Sequence, residues 1–456
     1  MRERIEKALP KSDAEYTEIR IENVTSSWAN FRGEELDSIG SSKTLGGIVR
    51  ALVKGGWGYA TFNDLSALED RVKEACNSAR LVGEEKSRFA EVEPFVDEIT
   101  ATMEKDFRQI SLSEKKSVIE EYNKIVLGYH DKVETSNVGY GDSFRKVWYG
   151  NSEGTHIEDE RPDAGVSLSA TARDGDNVQQ GFESVAGSAG FQIIEGLQEK
   201  AEVAAKLAVD LLSAPPVTGG KYTVIINPRL TGVFAHEAFG HLSESDFVYE
   251  NERLKELMVL GKRFGSDILN IIDNGTIRGL RGTQKYDDEG VRSRKNYLIK
   301  DGILVGRLHS RETAAKMGEE PTGNARAIGY QHQPIVRMTN TYIDKGDATF
   351  EDMIKDVNLG LYAIDMIGGQ TSMEMFTFSA AYGYMVRDGK IAELVRDVVL
   401  TGNVFETLMN IDIISDAVEW PPVGGGCGKG GQSPLPVGLG GPYARIQNVV
   451  IGGRQQ

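Results

Sequence analysis

The chain has 456 residues, a formal net charge of −16 at neutral pH and two cysteines. This length allows two or three domains with sizeable cores. The acidic balance, without a patch of lysine and arginine, argues against nucleic-acid binding, because polyanions are held mainly by those side chains. Two cysteines do not make a disulfide framework, the N-terminus lacks the apolar core of a signal peptide, and no stretch has the length of a membrane span. We therefore expect a cytoplasmic protein without a membrane contact.

The first half of the chain predicts a mixture of strands and helices. Alternating apolar residues over 16–30 indicate a strand, and residues 48–60 indicate a hairpin. Residues 132–172 are typical of strands joined by turns. The clearest helix covers 190–214 and is ended by two prolines. We place the domain boundary there, which predicts an N-terminal α+β domain over 1–214.

The second half, residues 215–456, is expected to be β-rich and largely antiparallel. Three dipeptides that favour tight hairpin turns lie between apolar runs: Asn274-Gly275, Asp301-Gly302 and Asp388-Gly389. The predicted fold class is therefore α+β, with a mixed α/β-sheet domain followed by a mainly antiparallel domain.

The residues with the strongest chemical signal are His236, Glu237 and His241. Two imidazoles can bind zinc, and a neighbouring carboxylate can move protons. Five positions on a regular helix correspond to a rotation of about 140°, so both rings reach one ion only if the helix ends or loosens between them. Gly240 is the residue type that permits this. Two ordinary histidines remain the alternative.

A third ligand is offered by Cys427, which lies in a glycine-rich segment over 424–431. Glycine gives a thiol little to pack against, so we expect this cysteine to bind something and not to fill a core. Lys429 would favour the thiolate, the form that binds metal. A dinucleotide-binding loop is the competing interpretation, but two prolines follow at once where that motif requires a helix.

Four acidic residues are candidates for supporting roles. Glu244 and Asp246 follow His241 and are positioned to orient the histidines as carboxylates around the ligands. Asp287 and Asp288 belong to a short acidic cluster that would contribute a second metal site or a substrate-facing carboxylate. A solvated turn is the more usual explanation for such a cluster.

Two basic residues, Arg326 and His332, are candidates for stabilising an oxyanion. Ordinary strand or loop positions explain them equally well. With these residues the sequence predicts a His236-His241-Cys427 zinc site in which Glu237 acts as base on a metal-activated water molecule.

The second half resembles the TldD/PmbA peptidase family. The resemblance begins with HEAFGH and continues in order through the rest of the domain, whereas the first half is similar only in general layout. The matching segments are SESDF, YDDEG (286–290), PTGNAR (321–326), RMTNTY (337–342), GGQ (368–370) and GGCGKGGQ (425–432).

This resemblance implies a cytoplasmic zinc metallopeptidase that cuts unfolded proteins and peptides. It implies His236, His241 and Cys427 as ligands, Glu237 as base, and the TldD-type subunit, because the related TldE (PmbA) subunit has lost the zinc motif. A heterodimer with such a sister subunit is expected, with a homodimer as the alternative. The competing function is a non-catalytic regulatory or binding subunit with structural zinc. Structural zinc sites normally have four protein ligands.

Overall fold

A computed structural model of the chain describes residues 1–82, 87–372 and 374–452. Within these residues the fold mixes helices and strands, with strands predominating, and the predicted fold class is confirmed. The helices are α1 (Arg2–Ala8), α2 (Leu68–Leu81), α3 (Leu112–Gly128), α4 (Gln198–Ser213), α5 (Pro228–Ala235), α6 (Ser245–Glu250), α7 (Glu252–Leu257), α8 (Arg311–Met317), α9 (Phe350–Ile354) and α10 (Val404–Met409).

The first half forms a seven-stranded sheet in the order β3-β2-β1-β5-β6-β4, with β7 also paired to β6. Neighbouring strands are antiparallel except β4 and β6. Helices α3 and α4 pack against this sheet over an apolar core, and α2 packs on β2 and β3. The strands are β1 (Tyr16–Arg32), β2 (Glu35–Val53), β3 (Gly56–Phe62), β4 (Val96–Ile99), β5 (Val133–Asn151), β6 (His156–Asp174) and β7 (Asn177–Gly187).

Most of the predicted elements of this half are present. The strand over 16–30 and the hairpin over 48–60 are confirmed, and Cys76 is a buried core thiol. The helix predicted from residue 190 begins at Gln198 instead. Gly196 takes a positive φ of 73°, a left-handed conformation that interrupts a helix, so residues 191–194 form only a separate 3₁₀ turn.

The second half is built on a nine-stranded sheet in the order β16-β17-β20-β25-β8-β15-β18-β19, with β21 paired to β25. A five-stranded sheet has the order β11-β10-β9-β14-β24. Pairing is antiparallel except for β8 with β15 and β14 with β24, as predicted. The strands are β8 (Gly220–Ile226), β9 (Ile271–Asn274), β10 (Lys295–Lys300), β11 (Ile303–Leu304), β12 (Ala325–Arg326), β13 (Ile335–Val336), β14 (Asn340–Ile343), β15 (Leu359–Ile364), β16 (Gly368–Ser372), β17 (Met375–Ser379), β18 (Tyr382–Arg387), β19 (Lys390–Val395), β20 (Val399–Asn403), β21 (Ile411–Ile414), β22 (Gly426–Lys429), β23 (Gln432–Pro436), β24 (Gly438–Leu439) and β25 (Ala444–Gly452).

Two of the three predicted hairpin turns are confirmed. Both residues of Asp301-Gly302 and of Asp388-Gly389 have positive φ, which is the geometry of a tight hairpin turn. The prediction for Asn274-Gly275 is wrong. The Asn274 side chain accepts a hydrogen bond from Thr276 N at 3.0 Å, and the chain leaves the sheet for twenty residues before β10 begins.

The division of the chain at residue 214 stays a prediction. The seven-stranded sheet uses residues 16–187, and the strands of the nine-stranded sheet begin at Gly220. Among the helices that the structure describes, none is long and apolar enough to cross a membrane.

Candidate metal centre

The two histidines lie on a helix whose turns widen between them. Asn227 caps the start of α5 by accepting a hydrogen bond from Leu230 N. After α5 the chain continues as one π-helical turn over His236–Gly240, in which the N–H of His241 donates to the carbonyl of His236. A hydrogen bond that spans five residues places residues five apart one above the other. The rings of His236 and His241 are accordingly 5.1 Å apart, so the prediction that the helix loosens is confirmed.

Gly240 contributes to this turn through its size. Its φ of −56° is helical, so the conformational freedom of glycine is not what the position requires. A Cβ at Gly240 would lie 2.0 Å from Sδ of Met338. The residue is therefore needed for the close approach of the helix to Met338.

Cys427 lies on β22 and pairs with Leu435 of β23. Its exposure is only 3%, and it belongs to the main apolar core of the second half, so the expectation that glycines keep it out of a core is wrong. Arg337, fully buried, donates from Nη2 to the carbonyl of Cys427 at 2.7 Å and from Nη1 to that of Gln432 at 3.2 Å. This arginine fixes both strands of the hairpin that carries the thiol.

The hairpin and the helix bring three metal-ligating groups together. Ligand atoms of His236, His241 and Cys427 all lie within 4.8 Å of one another. The distance from Cys427 Sγ to His241 Nε2 is 3.5 Å. Two zinc bonds of about 2.3 and 2.1 Å at a tetrahedral angle would span about 3.6 Å. Nδ1 of His236 is buried without a hydrogen-bond partner among the described residues, so this nitrogen has no competing partner. The cluster therefore fits a metal ion both in its spacing and in its available ligand atoms.

The charges of this cluster favour the form of the cysteine that binds metal. Burial raises the pKa of Cys427, but His236 and His241 outweigh it and lower the pKa to about 5. Burial lowers the pKa of His241, while Glu244 and the Cys427 thiolate raise it to about 10. The lowered pKa of Cys427 favours its thiolate, the form of cysteine that binds metal.

Glu244 orients one of the histidines. Its side chain is fully buried, and its Oε2 lies 2.9 Å from Nδ1 of His241. Since an ionised carboxylate only accepts, Nδ1 carries the proton and Nε2 is left to face Cys427. Burial would raise the pKa of Glu244, but Lys429 and His241 hold it below its usual value.

Lys429 connects the cysteine hairpin to the histidine helix. Its Nζ lies 3.1 Å from Glu244 and 2.7 Å from Asp246, and it donates to the carbonyl of Val336 at 2.8 Å. The charge of Lys429 is thus taken up by two carboxylates, a different role from the predicted activation of the thiol. Asp246 contacts the lysine and reaches the histidines only through it.

Glu237 faces a cavity of about 510 Å³ beside the cluster. Its side chain is 29% exposed, and its Oε2 is 3.9 Å from Nε2 of His241. The cavity is lined by Glu237, His241, Leu242, Phe247, Leu254, Gly369, Gln370, Thr371, Gly428, Lys429 and Gly430. A partly exposed carboxylate at the edge of the three-donor cluster is placed to exchange protons with a molecule in the cavity.

The strand that borders this cavity is the last strand of its sheet. Three residues of β16, Gly369 to Thr371, line the cavity, and β16 pairs only with β17 among the described strands. Its second edge carries no paired strand among the described residues, and such an edge is where an extended segment can add main-chain hydrogen bonds.

The predicted oxyanion candidates lie elsewhere. Arg326 donates from Nη1 to the carbonyl of Met338 and from Nη2 to that of Pro436, so its guanidinium holds the chain behind the cysteine hairpin. His332 is partly buried, and its carbonyl accepts from Nη2 of Arg20. Neither residue lines the cavity at Glu237.

The acidic cluster is also away from that cavity, and it is not a solvated turn. Asp287 and Asp288 are 3% and 4% exposed. Asp287 accepts three backbone N–H groups, and Asp288 pairs with Arg20 at 3.2 Å and with Arg161 at 3.0 Å. These arginines lie on strands of the first sheet, so the cluster joins the two halves of the chain and has a structural role.

Comparison with known proteins places this architecture in a family. Family models for the PmbA/TldA metallopeptidase match in three consecutive parts, a first domain over 17–79, a central domain over 105–212 and a C-terminal domain over 219–453. The chain belongs to the PmbA/TldD metallopeptidase family. A metalloprotease of Synechocystis is 45% identical over 447 residues, which cover 97% of this chain and 96% of the relative. A zinc metalloprotease TldD homolog of Saccharolobus solfataricus is 29% identical over 96% of this chain and 97% of its own length.

A solved structure supports the same fold. The crystal structure of TldE from Thermococcus kodakarensis aligns with a TM-score of 0.78 at 18% identity, covering 99% of this PmbA/TldD chain and all of that one. At this identity the likeness concerns the fold alone. It shows that the arrangement of sheets described above is one that a PmbA/TldD-type chain adopts.

Two residues of the site were missed by sequence reasoning. Arg337, which holds the cysteine hairpin, sits in a matching family segment, RMTNTY, but nothing in its spacing identifies what it contacts. Gln370 lines the cavity from the GGQ segment. In both cases the family segment marks the residue as a candidate, but its role depends on contacts with residues distant in sequence.

Proposed function

We propose that the chain is a zinc-dependent peptidase that hydrolyses peptide bonds in unstructured peptides or unfolded proteins. One observation carries the proposal. Three metal-ligating side chains, His236, His241 and Cys427, meet beside a partly exposed carboxylate, Glu237, at the wall of a cavity large enough for a peptide segment. The names of the relatives as metalloproteases support it.

In this mechanism His236, His241 and Cys427 would hold the zinc ion. Bound zinc would supply a Lewis acid that polarises the scissile carbonyl and makes a water molecule more acidic. Glu237 takes a proton from that water, whose oxygen bonds to the carbonyl carbon, and then returns the proton to the amine as the C–N bond breaks. Glu244 keeps Nδ1 of His241 protonated, so that Nε2 remains available as a ligand.

The proposed substrate is an extended chain. The open edge of β16 beside the cavity can pair with the backbone of a peptide, as an added strand does. Such pairing requires unpaired N–H and C=O groups, which a folded protein does not offer at most positions. It also depends little on side chains, which predicts broad selectivity.

The proposed working form is a cytoplasmic dimer with a related TldE (PmbA) subunit. A partner placed over the cavity would restrict access to segments that thread into it, and this would protect folded proteins. A homodimer is the alternative. The fold shared with a TldE structure supports a pairing of similar chains.

The competing function is a regulatory or binding subunit with a structural zinc ion. Structural zinc is normally surrounded by four protein ligands, which leave no position for water. Among the described residues the cluster has three such ligands, and the carboxylate of Glu237 lies beside it at the cavity. This arrangement favours catalysis.

The proposal is tested by measuring zinc content and peptide cleavage on the same purified chain, alone and mixed with its sister subunit. We expect about one zinc per chain and cleavage of an unstructured peptide that a chelator abolishes and added zinc restores. A chain that holds one zinc and cleaves nothing under either condition would support the regulatory alternative.

A further inference from the structure

A second cavity lies against the other strand of the cysteine hairpin. It has a volume of about 280 Å³ and is walled on one side by Pro434, Leu435 and Pro436 of β23. The paired strand, β22, contributes Gly428 and Lys429 to the cavity at the metal cluster. The two strands of one hairpin therefore each line one of the two cavities.

The lining of this second cavity is rich in guanidinium groups. Arg145 and Arg161 approach from the seven-stranded sheet, and Arg281 and Arg326 from the second half of the chain. The carboxylates among the lining residues belong to Asp163 and Asp288. Two more carboxylates pair with these arginines from outside the lining, Asp159 with Arg161 at 2.7 Å and Glu22 with Arg145 at 3.7 Å, so the unbalanced positive charge of the lining lies on Arg326.

Each aspartate of the lining is already bound by arginine. Asp163 forms two hydrogen bonds with Arg281, at 2.6 and 2.5 Å, and Asp288 pairs with Arg161 at 3.0 Å. Arg145 donates to the carbonyl of Ile328 at 2.6 Å, and its Nε is 3.7 Å from Glu22. The carboxylates are therefore fully engaged, while guanidinium N–H groups remain.

Arg326 is the least compensated of the four. It is 6% exposed, it donates to two backbone carbonyls, and it makes no ion pair with any residue in the described ranges. Burial lowers the pKa of Arg326 to about 10; the carboxylate of Asp288 opposes this shift, and the positive charges of Arg337 and Arg161 act in the same direction as burial. A buried cation without a directly bound anion is costly, and an anion in the adjacent cavity would relieve that cost.

We infer that this cavity is a binding site for a small multivalent oxyanion with the chemistry of phosphate. Guanidinium groups bind phosphate oxygens through paired, directional N–H bonds, and several arginines on different sides of a cavity suit a tetrahedral anion better than a flat monocarboxylate. A volume of about 280 Å³ accommodates phosphate or pyrophosphate.

The site would act on the metal-binding hairpin through two of its arginines. Arg281 donates from Nη1 to the carbonyl of Gly425 at 3.0 Å, and Arg326 donates from Nη2 to that of Pro436 at 2.8 Å. An anion that holds these two guanidinium groups in place would also hold the strands on both sides of Cys427. Bound oxyanion is therefore expected to slow the release of metal to a chelator.

The test is calorimetric titration of the metal-loaded chain with inorganic phosphate at constant ionic strength. We expect saturable binding of one phosphate per chain, and binding weakened at least about tenfold in Arg145→Gln, which loses one charged donor. Arg173→Gln is the matched control, because Arg173 pairs with Glu134 on the other part of the first sheet and does not line the cavity. It should bind phosphate like the parent.

Two further titrations distinguish phosphate binding at this cavity from phosphate binding to the metal and from the binding of other anions. Cys427→Ser, stripped of metal, should still bind phosphate with dependence on Arg145, whereas coordination of phosphate to zinc would disappear. Acetate at the same concentration should bind much more weakly than phosphate. If acetate bound equally well, the site would be one for carboxylates, and the inference would be overturned. No saturable binding up to about 10 mM phosphate, or equal affinity in the parent and in both Arg145→Gln and Arg281→Gln, would also overturn it.

Discussion

Replacing Glu244 by alanine isolates the contribution of the carboxylate behind His241. The substitution removes a fully buried hydrogen bond of 2.9 Å to Nδ1 of the histidine. A hydrogen bond to a charged group is worth roughly 1.5–3 kcal/mol, and 1.4 kcal/mol corresponds to a factor of ten. The expected loss of zinc affinity is therefore about 10- to 100-fold, the range typical for groups that orient metal ligands. Lys429 keeps Asp246 as a partner, so its charge is not left alone.

The assay is competition for zinc between the protein and a chromophoric chelator, with thermal unfolding of the metal-free form as a check on the fold. Glu244→Gln removes the charge but keeps an amide oxygen that can accept from Nδ1. Its zinc affinity should therefore lie between that of Glu244→Ala and that of the parent. Glu252→Ala, an exposed position on α7, is the matched control. If Glu244→Ala held zinc within twofold of the parent, the orienting role of this carboxylate would be refuted.

Three further predictions concern the ligands, the substrate and the assembly. Cys427→Ala should lose most bound zinc, measured by metal analysis, because it removes the thiolate between the two histidines; a variant that retains one zinc per chain would exclude this ligand. Incubation of one protein in native and in unfolded form should give cleavage of the unfolded form alone, seen by gel electrophoresis, and equal cleavage of both would contradict strand pairing at β16. Light scattering should show a complex with the sister subunit; a stable monomer with full activity would argue against any dimer, and an active homodimer only against the sister subunit.

The histidine part of the metal cluster was predictable because its signal is local, whereas Cys427, 186 positions from His241, was recognisable only by its residue type and glycine-rich segment. His236 and His241 are close in sequence, and their odd spacing required a distortion of the helix, which the structure supplies as a π-helical turn. The sequence does not show why residue 240 must be glycine, because the reason is the close contact with Met338, a residue nearly a hundred positions later. Alternation of residues and tight-turn dipeptides likewise predicted β1, the β2–β3 hairpin and the turns at 301–302 and 388–389, and these too are local signals.

The failures concern contacts over long sequence distances. Asp288 is typical of a solvated turn in the sequence because its partners, Arg20 and Arg161, lie more than a hundred positions earlier. The sequence leaves Arg326 as a candidate for stabilising an oxyanion or as an ordinary residue, and in the structure its donors are bound to backbone carbonyls. Charge alone does not reveal whether a side chain faces a substrate or a neighbouring strand.

The measurement that tests the central claim most directly is the zinc content and turnover of Glu237→Gln. Glu237 is outside the three-donor cluster and faces the cavity, so the variant should keep about one zinc per chain. It should lose at least about 100-fold in turnover of an unstructured peptide, because amide replaces the group that accepts and returns the proton. A variant that binds zinc and turns over peptide at nearly the parental rate would contradict the proposed mechanism.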